Sequence, residues 1–278
     1  MSRTARPTHE VGIIVHPSSD TSRQALWENV PCELYRGPEA RLVVGLLALA
    51  GDSVIEEELR TMTPYPAVRW CSTRLAYGGD LSPDVVSSLA EQIPAAIPLL
   101  MPGDHLDVIV FGCTSGAIAL GIDRVHDLIR RARPGTHSID PVMAAVQALA
   151  ALKIRRVGLL TPYSARVNAA MDAYLTCQGI DVRVRRTFRA AAAVRLGRTP
   201  PTRIPPEAIQ EAATALGRTD VEGVFISCTG LRCSGILAQV ERDIGKPVIS
   251  SNQAVSWYCL RHAGIVDPVP GFGQLLLS

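Results

Sequence analysis

Nowhere in the 278 residues does an apolar run reach the length of about 18 that a membrane-spanning helix requires. The N-terminal stretch "MSRTARPTHEVGIIVHPSSD" offers only a five-residue apolar run after mixed charge, too short for the core of a secretory leader. A soluble cytoplasmic protein is therefore expected. One-sided charge is also missing. Lys and Arg total 28 against 26 for Asp and Glu, a formal +2 with no long like-charged run, which argues against a nucleic-acid partner and against a membrane-surface role. No G-x-G-x-x-G follows a strand, and there is no Walker loop and no G-x-S-x-G elbow. The histidines at 9, 16, 105, 126, 137 and 262 have no ligand spacing, so no metal is expected, and His126 and His262 read as helix-face residues. Disulfide-framework spacing is absent as well. The seven cysteines, at 32, 71, 113, 177, 228, 233 and 259, are odd in number and scattered, as for free thiols in a reducing compartment.

What the chain has is apolar bulk. With 47% hydrophobic and 19% charged residues, it can bury a large core and exceeds the usual size of one domain, so two lobes are expected. From about residue 42, short β-rich runs alternate with segments of helical period. Strands are expected at 41–49, 67–75, 106–113, 155–163, 181–188, 221–228 and 246–252. Helices are expected between them: one capped by Asp52, one starting near Ser82 with Pro83 first, one resuming past Gly116, and others at 140–154, 164–180, 205–217, 235–245 and 253–264. Strands separated by helices of this length imply right-handed crossovers and parallel sheets, an α/β protein. Residues 1–40 fit less well and read as an extension, an added strand or a subunit-contact arm.

Two segments resemble each other. "VIVFGCTSGAIALG" and "GVFISCTGLRCSGI" both run from an apolar strand through Cys-Thr-small toward a helix. Ligands of parallel α/β sheets bind beyond the carboxyl ends of the strands, so Cys113 and Cys228 would share one cleft if two similar halves face each other. A thiol among unpaired helix N-terminal amides is drawn toward the thiolate, and those amides with the hydroxyls of Thr114, Ser115 and Thr229 make a cradle for a carboxylate. One thiol on each face of the neighbouring carbon permits proton removal from one side and delivery from the other, without a cofactor. The alternative for any cysteine that ends a strand is packing. That reading is kept for Cys32, Cys71, Cys177 and Cys259, and Cys233 is expected to face the core from the first turn of its helix.

The CTSG corner, "LLTPYSARVNAAMDAYL" and the run from Phe225 to Gly264 resemble the maleate cis-trans isomerase and arylmalonate decarboxylase branch of the Asp/Glu racemase superfamily, and within it the racemase-like proteins of ectoine-utilisation operons. The resemblance covers about residues 42–265. It implies two pseudo-symmetric parallel-sheet lobes, 41–138 with 252–278 and 139–251, with the active site in the cleft between them and no cofactor. It also implies a small carboxylate substrate and a homo-oligomer. In the isomerases the first cysteine acts as nucleophile or base and the second as proton donor, which maps to Cys113 and Cys228. Arylmalonate decarboxylases carry glycine at the first position, so Cys113 argues against that activity. The resemblance further assigns substrate-binding roles to Tyr163, Asn168 and Gly230, and matches Glu56 and Arg74. Where maleate isomerases offer an asparagine, the alignment gives Asp52, with Asp20 as the rival. An aspartate there repels a second substrate carboxylate and suits an ammonium. A decarboxylase and a non-catalytic small-molecule-binding protein remain the alternatives, and residues 189–206 read as a cover over the cleft.

Overall fold

A computed structural model describes residues 30–33, 40–63, 67–77, 82–189 and 200–278. The chain divides into two compact units, Met1–Gly37 and Pro38–Ser278. Most of the expected extension, and with it Asp20, lies outside the described residues. The larger unit holds two four-stranded parallel sheets. The first contains β1 (Leu42–Leu49), β2 (Val68–Leu75), β3 (Val108–Gly112) and β4 (His137–Ile139) in the order β2-β1-β3-β4. The second contains β5 (Arg156–Thr161), β6 (Asp181–Thr187), β7 (Gly223–Ile226) and β8 (Val248–Ser250) in the order β6-β5-β7-β8. The two orders are the same permutation, so the protein is an α/β fold made of two topologically matching halves.

The inner strands β1, β3, β5 and β7 are near-continuous buried runs, as in sheets covered by helices on both faces, while the edge strands β2 and β6 carry polar and partly exposed residues. Helices α1 (Ile55–Thr61), α2 (Pro83–Ala96), α3 (Thr114–Leu120), α4 (Ile122–Ala132) and α5 (Pro141–Ala151) belong to the first part of the chain. They are followed by α6 (Ala165–Cys177), α7 (Pro206–Gly217), α8 (Leu237–Ile244) and α9 (Ser251–His262). One apolar cluster runs from the first sheet through α5 and α9 to Val157, Leu159, Phe225 and Ile249 of the second. Their strand neighbours Leu160, Val224, Ile226 and Val248 face the other way, into a smaller cluster with Ile209, Ala213 and Leu216 of α7. Alternation along β5, β7 and β8 thus feeds two separate cores.

Two expectations need correction. The helix after β3 begins at Thr114 rather than past Gly116, and it breaks at Gly121, whose φ of 87° ends α3 and starts α4. The three-residue β4 was not expected. Its sequence, "HSI", is too short to show a period, and pairing with β3 alone makes it a strand. No described helix is long and apolar enough to cross a membrane.

The strand order also sets where a ligand fits. In each half the chain leaves the first strand toward one edge and returns past it to the third, so a crevice opens at the carboxyl ends of β1 and β3, and again of β5 and β7. Close packing around β5 is tight. A Cβ on Gly158 would meet Leu216 Cγ at 2.6 Å, at the point where the β5–β6 register shifts. Gly158→Ala should therefore cost about 1–3 kcal/mol of stability through overpacking, read as a lowered midpoint in urea unfolding.

Candidate active site

Four loops leave the strands that flank the two crevices: Asp52 follows β1, Cys113 follows β3, Tyr163 follows β5 and Cys228 follows β7. At the first corner β3 passes directly into α3. Cys113 is the N-cap, and its Sγ accepts the Gly116 N–H at 3.2 Å with Ser115 Oγ 3.7 Å away. Thr114 is buried and its hydroxyl lies 3.2 Å from that of Ser251, the first residue of α9.

The second corner is built differently from the expectation. After Cys228 the chain makes successive turns, and α8 starts only at Leu237. Cys233 therefore precedes its helix rather than lying in the first turn, although it is buried as expected. The Gly230 N–H points at the Cys228 thiol and favours its anion. A Cβ on Gly230 would sit 3.1 Å from Pro201 Cβ and 3.4 Å from Thr202 Cγ2. The described end of the expected cover thus rests against this corner, while residues 190–199 lie outside the described residues.

The corners are joined by Asp52. Its Oδ1 accepts the N–H groups of Val54 at 2.9 Å and Ile55 at 3.1 Å, capping α1. Its Oδ2 accepts the Thr229 hydroxyl at 2.8 Å, across to the second corner. Arg74 of β2 fixes the same loop by donating to the carbonyls of Leu49 at 3.0 Å and Asp52 at 2.8 Å, and it is paired with Glu56.

Tyr163 stands where the two halves meet. Its hydroxyl is shut away from solvent, and burial first, then the nearby Cys228 thiol, push its pKa well above the ordinary phenol value. The hydroxyls of Ser227 and Thr114 stand near it, yet the Tyr163 and Ser227 hydroxyls close no hydrogen bond. Asn252 Oδ1, also buried, is likewise without a donor. The two hydroxyls can donate to a substrate carboxylate, whereas Asn252 Oδ1 is an acceptor that a carboxylate cannot satisfy.

Asn168 is placed differently. Its Nδ2 donates to the Tyr163 carbonyl at 3.2 Å and its Oδ1 accepts the Thr161 hydroxyl at 2.6 Å. Its amide is spent on shaping the turn that carries Tyr163. Ser227, Glu58 and Asn252 were missed. Ser227 directly precedes Cys228, and Glu58 lies on the apolar face of α1 beside Ile55 and Leu59, a carboxylate where the period calls for a hydrophobe. Asn252 lies in the Ser250-capped start of α9, which reads as ordinary capping sequence.

The thiols are not drawn toward the thiolate, contrary to the expectation from a helix N-terminus. Cys113 and Cys228 are 5% and 9% exposed, and burial is the dominant influence on each. Burial pushes Cys113 up to about 11, outweighing the Gly116 N–H and the Ser115 hydroxyl, and the Asp52 charge adds to the rise. Cys228 is pushed up further by burial, then by Asp52, and it also feels Cys113. Both resting thiols are protonated at neutral pH. The remaining cysteines divide: Cys71 is half-buried with its Sγ 3.4 Å from the Val44 carbonyl, Cys259 is buried, and Cys32 and Cys177 are exposed rather than packed.

A sequence profile of the family described as arylmalonate decarboxylase matches residues 61–276. The maleate isomerase of Nocardia farcinica is 25% identical over 244 residues, 84% of this chain and 94% of that protein. The arylmalonate decarboxylase of Bordetella bronchiseptica is 30% identical over 133 residues, 48% of this chain and 54% of that protein. In fold, the chain is similar to the Nocardia farcinica maleate cis-trans isomerase, solved as a cysteine-to-serine mutant with a covalently bound succinylcysteine intermediate. The TM-score is 0.73 at 24% identity, covering 84% of this chain and 98% of that one.

With no ligand bound, alkylation of Cys113 by iodoacetamide should rise with pH through a midpoint near 11, above the ordinary thiol value of about 9. Peptide mass spectrometry across a pH series reads it. A midpoint at or below the ordinary value would mean that the helix N-terminus dominates after all.

Proposed function

The chain belongs to the arylmalonate decarboxylase family, and from that membership we propose a cofactor-independent isomerase that acts at a carbon beside a carboxylate of a small acid, using Cys113 and Cys228. The observation that supports this reading is a buried thiol at the equivalent corner of each matching half, with Cys113 near enough to raise the pKa of Cys228 and both near enough to raise that of Tyr163. Backbone amides of the two corners and the Thr114 hydroxyl supply donors for the carboxylate, whose enolate-like charge is greatest in the transition state, while the Thr229 hydroxyl is held by Asp52.

Two chemistries fit this frame. In alkene isomerisation the Cys113 sulfur bonds to one alkene carbon as its proton passes to the substrate carboxylate, and that proton returns to sulfur when the C–S bond breaks. The π pair moves to the neighbouring carbon and spreads into its carboxylate. The former double bond rotates, the C–S bond breaks, and the pair re-forms the alkene in the other geometry. The succinylcysteine found in the Nocardia farcinica enzyme supports this route by relationship. In racemisation one cysteine, having passed its own proton to the substrate carboxylate, removes the α-proton while the opposite thiol delivers its own to the other face. Asp52 favours the second route, because its charge suits an ammonium better than a second carboxylate. An amino-acid substrate is also what the likeness to ectoine-utilisation proteins suggests. Cys113, standing where arylmalonate decarboxylases have glycine, disfavours decarboxylation.

Cys113→Ser and Cys228→Ser should each lower turnover by about 10²–10⁴-fold, the scale of a lost proton-transfer group. Proton NMR of maleate and of single-enantiomer amino acids in D2O measures this, with chiral chromatography for the latter. An adduct on Cys113 by intact-mass spectrometry selects the alkene route, and α-deuterium exchange without an adduct selects racemisation. Unchanged turnover in both serine variants would sink the proposal, and saturable binding in calorimetry with no turnover would make the protein a binding module.

A further inference from the structure

The two corners solve one problem by different means. At the first, α3 begins immediately and its cap is the thiol itself. At the second no regular helix follows for several residues, so the turn after Cys228 needs acceptors for its amides from elsewhere. Helix α1 supplies one. Glu58, 3% exposed, accepts the Cys233 N–H at 2.8 Å and the Ser234 N–H at 2.7 Å on Oε1. Its Oε2 accepts Asn252 Nδ2 at 3.3 Å, and the same Nδ2 donates to the Thr229 carbonyl at 2.8 Å.

These partners are amides, not a cation. Burying a carboxylate among neutral donors is costly, and burial accordingly raises the Glu58 pKa against the pull of those hydrogen bonds. Packing α1 onto this turn would be served at lower cost by a hydrophobe like its neighbours Ile55 and Leu59. What a hydrophobe cannot do is fix the direction of two adjacent peptide planes and, through Asn252, of a third. Those three bracket the turn that follows Cys228.

We propose that Glu58, with Asn252 as relay, is the positioning residue of the second corner, setting where the Cys228 thiol and the Thr229 hydroxyl stand relative to Cys113. The inference rests on Cys228 having a role in turnover, as proposed above. Asp52 holds the Thr229 hydroxyl, and Glu58 with Asn252 holds the Thr229 carbonyl and the Cys233 and Ser234 amides that follow it, so one loop and helix of the first half orient the reacting corner of the second.

The test uses Glu58→Gln and Asn252→Ala. Glu58→Gln keeps an oxygen for the two N–H groups but sets an amide NH₂ against the Asn252 donor. Asn252→Ala removes the relay and keeps the carboxylate. In each variant kcat should fall about tenfold or more with KM near wild type, the scale expected when a group that orients a reacting side chain is lost. Iodoacetamide labelling of Cys228, followed by peptide mass spectrometry, should rise several-fold while that of Cys113 is unchanged. Labelling and kinetics are run well below the thermal midpoint of each variant. A lowered midpoint with wild-type labelling of both thiols in both variants would overturn the proposal and leave Glu58 a structural staple. If the wild-type protein turns over no carboxylate, the functional reading fails, and the labelling of Cys228 still decides the role of Glu58.

Discussion

A carboxylate taken out of water must be met by hydrogen-bond donors, and the arrangement at the crevices follows from how two such groups are met. Asp52 and Glu58 both belong to the connection between β1 and β2, and both are buried. Asp52 spends its acceptors on its own half and on the second corner, and Glu58 spends its acceptors on the second corner and on α9. The Asp52 carboxylate caps α1 and takes the Thr229 hydroxyl, while Glu58 takes the Cys233 and Ser234 amides and the Asn252 side chain. These polar bridges specify direction in a way that the surrounding apolar cluster cannot, because hydrophobic contact has no preferred angle.

The same burial governs the electrostatics. A helix N-terminus offers roughly half a positive charge, enough to lower a thiol that water still reaches. At Cys113 water does not reach it, and desolvation wins over the Gly116 amide and the Ser115 hydroxyl. The Asp52 charge raises both thiols further. The resting site therefore stores no thiolate, and its unfilled hydrogen-bonding capacity resides in neutral groups, the Tyr163 and Ser227 hydroxyls and the Asn252 carbonyl oxygen. A substrate carboxylate entering such a site can accept from the two hydroxyls and meets no pre-existing anion on sulfur, which is the condition for holding developing charge without self-repulsion.

Most of the fold was legible because parallel α/β chains write their elements as alternating apolar strands and periodic helices. The strands flanking both crevices and the Ser82–Pro83 helix start are where the pattern puts them. Local pattern failed where the deciding partner is distant. β4 is a strand only because β3 lies beside it. The two Cys-Thr corners read alike, yet one opens a helix at once and the other turns for several residues. Asn168, to which the resemblance gives a substrate-binding role, has as partners the Thr161 hydroxyl and the Tyr163 carbonyl, which only the fold brings to it. Glu58 reads as one of three acidic residues favouring the start of α1, and only its position on the apolar face hinted otherwise.

Composition and period by themselves determined the α/β class, the doubled plan and the two cysteine corners, since burial and 2.0 or 3.6 periodicity are properties of short windows. Tertiary structure alone decided which carboxylate grips which turn, that Tyr163 lies against both thiols, and that those thiols are protonated at rest. Hydrogen-bond geometry and desolvation depend on atoms brought together from up to 194 residues apart, as between Glu58 and Asn252, and no window of sequence contains them.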